Sequence, residues 1–546
     1  MAEGRARRGA DGSVTVAGAG IAGMTAALRL LEAGFDVTVL EAANRVGGKF
    51  GAIRVGNVYH EHAYHFLADW CLNFWELAAS IGLDRKNFVR RNSVKFLRPR
   101  PPDHRPGQYK FHELKHVSMT NNFWRNVNAG VIPPEDMLAY AYSLLDLLTT
   151  SDDDPDELEF LNRNSVNGFM RSRRYMTNLA ALLHQEALLK AFAVPSYDTS
   201  VRSYRTFLRY FGHDSGGWIL KGDCQTVFWD EFLKALRWYD GRRGRARFEL
   251  RLNAPVERIE AQRVPGQVRV TAVVARGQEP IRPGHLILAI PYDKVAELIE
   301  PNALLCTVLP DLLELRKLRS RQMASLDLYF KKPLPGIPPE HVTLIDDANL
   351  KRPSSLADDG DIASNYGLSF VDNNQAWKRG RRETWLNVVS ADFDELAGLP
   401  TTAARGLILE ELHRYLDFND DDIDEERSHF EPNVDARLFA NTVGSWQFRP
   451  ETRTDRPEYE ARLVHRRVPN LYLAGDYCRS KIDLVCLEGA VATGIAAARA
   501  IAGPVVAEPL VPPDVSRQKC EQGKAALAPW LAIKAKGGTH ALISRT

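Results

Sequence analysis

An apolar run, Val14-Thr-Val-Ala-Gly-Ala-Gly-Ile-Ala-Gly23, leads directly into the helical stretch Met24–Ala33 and sets its glycines at Gly18-x-Gly20-x-x-Gly23. No other feature restricts the fold as much. The strand must turn sharply at Gly18, the backbone must approach a ligand at Gly20, and the following helix must lie close against the strand at Gly23. The turn and first helical residues, Gly18, Ala19, Gly20, Ile21, Ala22 and Gly23, thus form a phosphate cradle whose unpaired N–H groups point outward. A second strand, Asp36–Leu40, ends at Glu41 and its neighbour Ala42, where a carboxylate takes the hydroxyls of a ribose. A glycine-rich turn can also serve helix–strand packing alone. The strand–turn–helix–strand–acid order favours the ligand site and predicts an α/β, Rossmann-like domain that binds a dinucleotide.

After the ribose acid the chain reads Glu41-Ala-Ala-Asn-Arg45-Val-Gly47-Gly48-Lys49. These residues add cations and a paired-glycine turn able to hold further phosphate oxygens. The run resembles the E-x(3)-R-x-G-G-[RK] sequence of the FAD-dependent amine oxidase and carotenoid (phytoene) desaturase superfamily. The resemblance implies FAD, bound non-covalently, in a domain of the glutathione-reductase/amine-oxidase type, with Arg45, Gly47, Gly48 and Lys49 among its contacts.

Far along the chain, Asn470–Asp476 read N-L-Y-L-A-G-D, a short buried strand closed by Gly475 and Asp476, and Leu487-Glu488-Gly489-Ala490-Val491-Ala492-Thr493-Gly494 opens a helix running to Ile501. A carboxylate at a strand end can accept hydrogen bonds from ribityl hydroxyls, and a helix N-terminus stabilises negative charge on a reduced flavin. The pair resembles the L-A-G-D-[YW]-T…M-E-G-A-V-x-S-G signature of carotenoid desaturases and hydroxysqualene dehydroxylases, the branch nearest in motif. Gly475, Asp476, Leu487, Glu488 and Ala490 are therefore expected at the flavin. Between the two ends, Asn253–Ile259 is similar to the strand that touches the adenine, here through Val256. His285–Pro291 is similar to the V-I-L-A-x-P strand, here carrying Ala289, and Ala324–Pro333 to a substrate-domain strand.

The cluster Tyr59-His60-Glu61-His62-Ala63-Tyr64-His65-Phe66 invites a metal reading. On an extended strand, however, His60 and His62 share a face while His65 points elsewhere, and no second cluster supplies ligands, so no metal is expected. The segment is similar to the E-x-G-x-H-x-F run that passes beside the flavin in the desaturase-like family, with Ala63 standing where the family has glycine. The resemblance brings His62, Ala63 and Tyr64 against the flavin and makes Glu61 and His65 candidate catalytic groups for moving a proton. The alternative is that both are structural polar groups with satisfied hydrogen bonds.

At 546 residues the chain exceeds one ordinary domain of about 150 residues. The motif positions predict a nucleotide-binding domain built from 13–75, 222–300 and 435–505, with a mixed α+β substrate domain from 76–221 and 301–434 interleaved. Residues 1–12 are expected to form a flexible tail and 506–546 a linker and tail. Residues 76–221 read largely as helix after a basic loop carrying Pro99, Pro101, Pro102 and Pro106, with helix-spaced apolar faces over Met137–Leu148 and Leu179–Leu189. A formal charge of +2 from 71 basic and 69 acidic residues carries no nucleic-acid footprint. Cys71, Cys224, Cys306, Cys478, Cys486 and Cys520 are scattered, which suits unpaired thiols and a cytoplasmic, reducing compartment. The start lacks a signal-peptide core, and no apolar run reaches membrane-spanning length. Lys524–Lys536, with Trp530, reads as a loosely packed tail because Pro529 interrupts it, and a membrane-surface helix is the other reading.

In the monoamine-oxidase branch of the same superfamily an aromatic residue precedes the E-G-A-V run and a second aromatic completes a cage for the amine. Here Cys486 holds the first position, and Val443–Phe448 offers Trp446 but no tyrosine or flavin-linking cysteine. Lys331 and Lys332 fall in the strand motif of the other branch. These features point to an FAD-dependent oxidoreductase acting on a hydrophobic small molecule, an isoprenoid or polyene, by desaturation, dehydroxylation or isomerisation. The electron acceptor stays open between oxygen, a quinone and none, and the substrate is expected from the membrane surface by peripheral contact. Two alternatives stand beside this one. The first is a flavin amine or amino-acid oxidase that releases hydrogen peroxide. The second is a non-catalytic prenyl-protein binding module of the GDP-dissociation-inhibitor type.

Overall fold

The structure is a computed structural model that describes residues 12–116, 121–151, 153–212, 216–240, 246–318, 320–347, 363–380, 383–432, 438–439 and 467–537. Trp446, the acidic run Asp358–Asp361 and the N-terminal tail before residue 12 lie outside the described residues.

Strand Ser13–Ala17 is the centre of a five-stranded parallel sheet in the order Phe248–Arg251, Asp36–Leu40, Ser13–Ala17, His285–Leu288, Leu471–Leu473. Its register sets Val16 opposite Val39 on one side and opposite Ile287 on the other. Both faces are covered, as a parallel sheet requires. Val14, Val16, Val37, Val39 and Ile287 face the helices Ile21–Glu32 and Leu487–Ala502. Ala17, Leu40, Leu286 and Leu288 face the antiparallel hairpin of Val256–Val264 with Gln267–Ala275. The two helices cross so closely that a Cβ added at Gly494 would stand 2.3 Å from the Ala22 carbonyl oxygen. This is the α/β, Rossmann-like domain that the glycine spacing predicts, with the interleaved second sheet that the amine-oxidase resemblance implies.

A second, seven-stranded sheet runs in the order His429–Glu431, Ala324–Tyr329, Trp385–Ser390, Leu368–Asp372, His341–Leu344, Ser93–Leu97, Phe111–Lys115. Residues 76–221 are thus not mainly helical from their start. Ser93–Leu97 pairs in parallel with His341–Leu344, a partner that sequence-local reasoning does not see, and the proline-rich loop joins two strands of this sheet. The expected helices follow at Pro134–Leu148 and Asn178–Phe192.

The C-terminal segment also departs from expectation. Arg517–Gly537 is one helix with Pro529 inside it, packed on Pro134–Leu148 with Gly523 close to Leu145 and an ion pair of Lys524 with Asp146, and with Cys520 and Leu527 buried. Pro529 lies on the exposed face, where its missing N–H leaves no buried partner wanting. No disulfide links the cysteines among the described residues, and no helix among them is long and apolar enough to cross a membrane.

Candidate active site

The phosphate cradle forms where the central strand meets helix Ile21–Glu32. Gly18 turns with φ +104°, and a Cβ there would stand 2.3 Å from the Ala289 carbonyl oxygen; at Gly23 it would stand 2.1 Å from the Gly18 oxygen. Gly20 differs from both: nothing lies within 4 Å of its missing Cβ. The tight glycines build the turn, and the open one leaves room for a pyrophosphate. Ala19, Ile21 and Ala22 are buried in the first turn. The Glu41 carboxylate accepts from the Ala19 N–H at 2.7 Å and the Ala43 N–H at 2.8 Å, which fixes it at the strand end beside half-buried Ala43 and exposed Ala42. Asn253 and Ala254 donate their N–H groups to the Ala43 and Glu41 carbonyls, so Val256 leaves from that same strand end.

The second half of the cradle comes from the Arg45–Lys49 turn. Gly47 donates its N–H to the Ala19 carbonyl and pairs with Gly20 in an isolated bridge. Lys49 Nζ is 2.8 Å from Asp476 Oδ2, joining two motifs from opposite ends of the chain. Gly475 is fixed by Thr493, whose hydroxyl accepts from the Gly475 N–H at 3.0 Å. Ala490 is buried and Leu487 half-buried beside them in the opening turn of helix Leu487–Ala502. These features suit FAD: an open space over a glycine, a carboxylate fixed at the end of the second strand, and another strand-end carboxylate beside a helix N-terminus. Glu41, Asp476 and the Gly18–Gly23 turn are the residues that would hold it.

Segment 61–65 folds back onto this turn. His62 Nε2 is 3.3 Å from the Gly48 carbonyl oxygen and His65 Nε2 is 3.1 Å from that of Lys49. Burial lowers the His62 imidazole below its ordinary range, and Arg45 pushes in the same direction. His65 Nδ1 stands 3.6 Å from Glu61 Oε2, beyond a hydrogen bond, and finds no partner among the described residues. Glu61 Oε1 accepts from the Cys224 N–H at 2.6 Å. Ala63 and Tyr64 pack toward the second sheet, where the Tyr64 hydroxyl lies 3.3 Å from His341 Nε2; burial takes His341 down to about 4, so it is neutral near pH 7.

The Glu488 carboxylate, expected at the flavin, is engaged by donors of the protein itself. Fully buried, it accepts from the Asn73 and Phe74 N–H groups and from Asn73 Nδ2, capping the helix Leu72–Ser80. Burial raises it to about 7 against the pull of those donors. Several other residues at the site were not foreseen. Cys224 opens the π-helical turn Gln225–Trp229, and Trp229 Nε1 donates to the Phe50 carbonyl at 2.5 Å. His60 is buried against Asp327, with Nδ1 and Oδ2 2.8 Å apart. The only sequence signal for Asp327 is a carboxylate at an alternating position in an otherwise strand-like run. No group of three or more metal-ligating side chains assembles among the described residues. Lys331 and Lys332 lie beyond the strand end, bound at Asp421 and Asp422.

Known proteins agree with this geometry. A model of the family described as flavin containing amine oxidoreductase matches residues 21–502. Flavin-containing amine oxidase B of Homo sapiens and of Rattus norvegicus are each 34% identical over 125 residues, 21% of this chain and 22% of theirs. The match to these curated relatives thus spans about a fifth of their length. A putrescine oxidase structure superposes with a TM-score of 0.59 at 16% identity over 90% of this chain and 98% of its own. Cyclohexylamine oxidase from Brevibacterium oxydans gives 0.55 at 15% identity over 90% and 99%. Such identities speak for the fold. The family match, by contrast, runs from the first turn of the phosphate helix to the last turn of the helix that crosses it, and the chain belongs to the flavin containing amine oxidoreductase family as an FAD-dependent oxidoreductase.

Proposed function

We propose that this enzyme acts on a hydrophobic small molecule of isoprenoid or polyene type, by desaturation, dehydroxylation or isomerisation, with Glu61 and His65 handling the proton. The observation that carries this reading is the wall behind segment 61–65: Ala63 and Tyr64 pack against buried Leu189, Ala193, Met323, Ala363, Val389 and Ala391. The wall itself offers an ammonium group nothing in place of its lost hydration. Cys486, at the position before Leu487, adds a neutral thiol, pushed up to about 12 by burial. FAD, when bound, supplies the hydride acceptor. The chain's part is to hold a C–H bond in place, exclude water and move the proton through a carboxylate and an imidazole that are both largely shielded.

Access from a membrane surface belongs to the same reading. Trp124 and Trp530, 53% and 50% exposed, meet edge to face at 5.6 Å beside the C-terminal helix, and tryptophan favours a half-wet, half-apolar setting. Co-sedimentation with anionic vesicles, lost in the Trp124→Ser, Trp530→Ser double variant, is the expected result. An unmodified chain that stays in the supernatant removes the membrane from the reading.

A second reading, oxidation of an amine with release of peroxide, is favoured by the similarity to amine oxidase B and the amine oxidase folds. Anaerobic mixing with squalene-type, carotenoid and amine panels, following flavin absorbance and product mass together, separates the two. Bleaching by amines with no lipid converted overturns the first reading.

A further inference from the structure

Strand Ala324–Tyr329 sends Ala324, Leu326 and Leu328 into an apolar core shared with helix Thr401–His413. Its other face carries Ser325 and Asp327. In the neighbouring strand Asn387 lies opposite Asp327. Ser325, Asp327, Asn387 and His60 are exposed by 2% or less. Buried polar groups are costly unless each finds a partner, so the whereabouts of the partners is informative.

They converge on one short segment. Asp327 holds the His60 ring through Oδ2 and accepts through Oδ1 from Asn387 Nδ2 at 2.8 Å and Trp385 Nε1 at 3.1 Å. Asn387 Nδ2 also donates to Ser325 Oγ, which in turn donates to the Glu61 carbonyl, both at 3.1 Å. Asn387 Oδ1 accepts the Tyr64 N–H at 3.2 Å. The segment His60–Tyr64 is therefore gripped at a side chain, a carbonyl and an N–H. Its ladder pairing ends at Glu61 opposite Ala52, and beyond that point side-chain ties take over from strand pairing, those of the second sheet on one side and those of His62 and His65 to the Gly48 and Lys49 carbonyls on the other.

We propose that Asn387 is a positioning residue: one carboxamide, working through Ser325 and Asp327, sets the path of the segment that carries Glu61 and Ala63 and so the shape of the flavin's substrate side. The proposal rests on the reading that this segment borders the flavin. A purely structural role is the competing account. Asn374 gives the comparison, being 2% exposed in the same half of the molecule and donating through Nδ2 to the Glu383 carbonyl, away from segment 60–64.

The test uses the FAD-loaded full chain with Asn387→Ala, Asn374→Ala and Glu61→Gln, reading visible circular dichroism of the bound flavin, Kd for FAD and Tm. Asn387→Ala is expected to change the visible spectrum and raise the Kd by about tenfold, the scale of one buried hydrogen bond. Asn374→Ala is expected to lower Tm alone. If Asn387→Ala behaves like Asn374→Ala while Glu61→Gln alters the spectrum, the positioning role is wrong. If Glu61→Gln leaves the spectrum untouched as well, the bordering of flavin by this segment falls, and the proposal with it. Should Asn387→Ala not fold, Ser325→Ala, which cuts the tie to the Glu61 carbonyl and removes one acceptor of Asn387, is judged by the same two readings.

Discussion

Lys49 Nζ and Asp476 Oδ2 form an ion pair of 2.8 Å although the residues stand 427 positions apart. The pair bridges the turn after the ribose acid and the end of the last sheet strand. Neither partner is exhausted by it, since an ammonium has three donors and a carboxylate roughly four acceptor sites. The site is thus closed across its width by protein atoms while each partner can still take a cofactor oxygen or hydroxyl.

The glycines of the cradle should separate folding from binding. Gly20→Ala, with φ −75° and open space around the new methyl, is expected to keep the Tm of the unmodified chain and lose FAD affinity. Gly494→Ala drives a methyl into the Ala22 carbonyl and should cost about 1–3 kcal/mol of stability. Thermal melts of the FAD-free proteins, with titration of FAD, check both; an unstable Gly20→Ala would show that the open space is not there for a ligand.

Glu41→Ala and Asp476→Ala should each weaken FAD binding by about 1–3 kcal/mol, the range for a lost charge-assisted hydrogen bond. Acid precipitation of the unmodified holoenzyme should leave the FAD in the supernatant. Yellow colour retained by the pellet would reveal a covalent link.

Glu61→Gln and His65→Ala are expected to retain FAD and to slow turnover by roughly 10²- to 10⁴-fold, the contribution typical of general acid–base groups. Unchanged turnover in both variants would assign the pair a structural role. Substrate loss should be scored beside flavin reduction, because a redox-neutral reaction leaves the flavin spectrum as it began.

The cap formed by Glu488 has a pH signature. Its folded value of about 7 lies above the 4.5 of an ordinary carboxyl, so the native state holds the proton more tightly than the unfolded chain. Its contribution is therefore complete below about pH 4.5 and lost as pH rises through about 7, a change on the order of 3 kcal/mol. Glu488→Gln should lower stability at pH 5, where one of the two acceptor oxygens is replaced by an NH2 group that faces a backbone donor, and flatten the decline between pH 5 and 8. Parallel pH profiles of Tm for the two proteins would contradict this.

Glu488 also shows where sequence reading stops. The strand, turn and helix at Gly18–Gly23, the acid at Glu41 and the strand end at Asp476 were legible because each signal is local: a glycine spacing, a period and a terminal carboxylate. The direction of the Glu488 side chain was not, because its partner Asn73 is 415 residues away and only the packed structure brings them together. Asp327 read as part of an ordinary strand for the same reason, and nothing local in the sequence singles out Asn387. Pro529 was read as a break because propensity argues against proline in a helix, yet tertiary packing on Pro134–Leu148 carries the helix through it.

The sheet order has a consequence for how the protein is made. Strand Ser13–Ala17 leaves the ribosome long before its neighbour His285–Leu288, and the edge strand Leu471–Leu473 and the crossing helix Leu487–Ala502 follow later still. Until then the first strand and helix Ile21–Glu32 hold an uncovered apolar face and an open sheet edge, the condition under which slow, non-local pairing competes with aggregation. Truncation before residue 487 should yield insoluble protein rather than a smaller folded one.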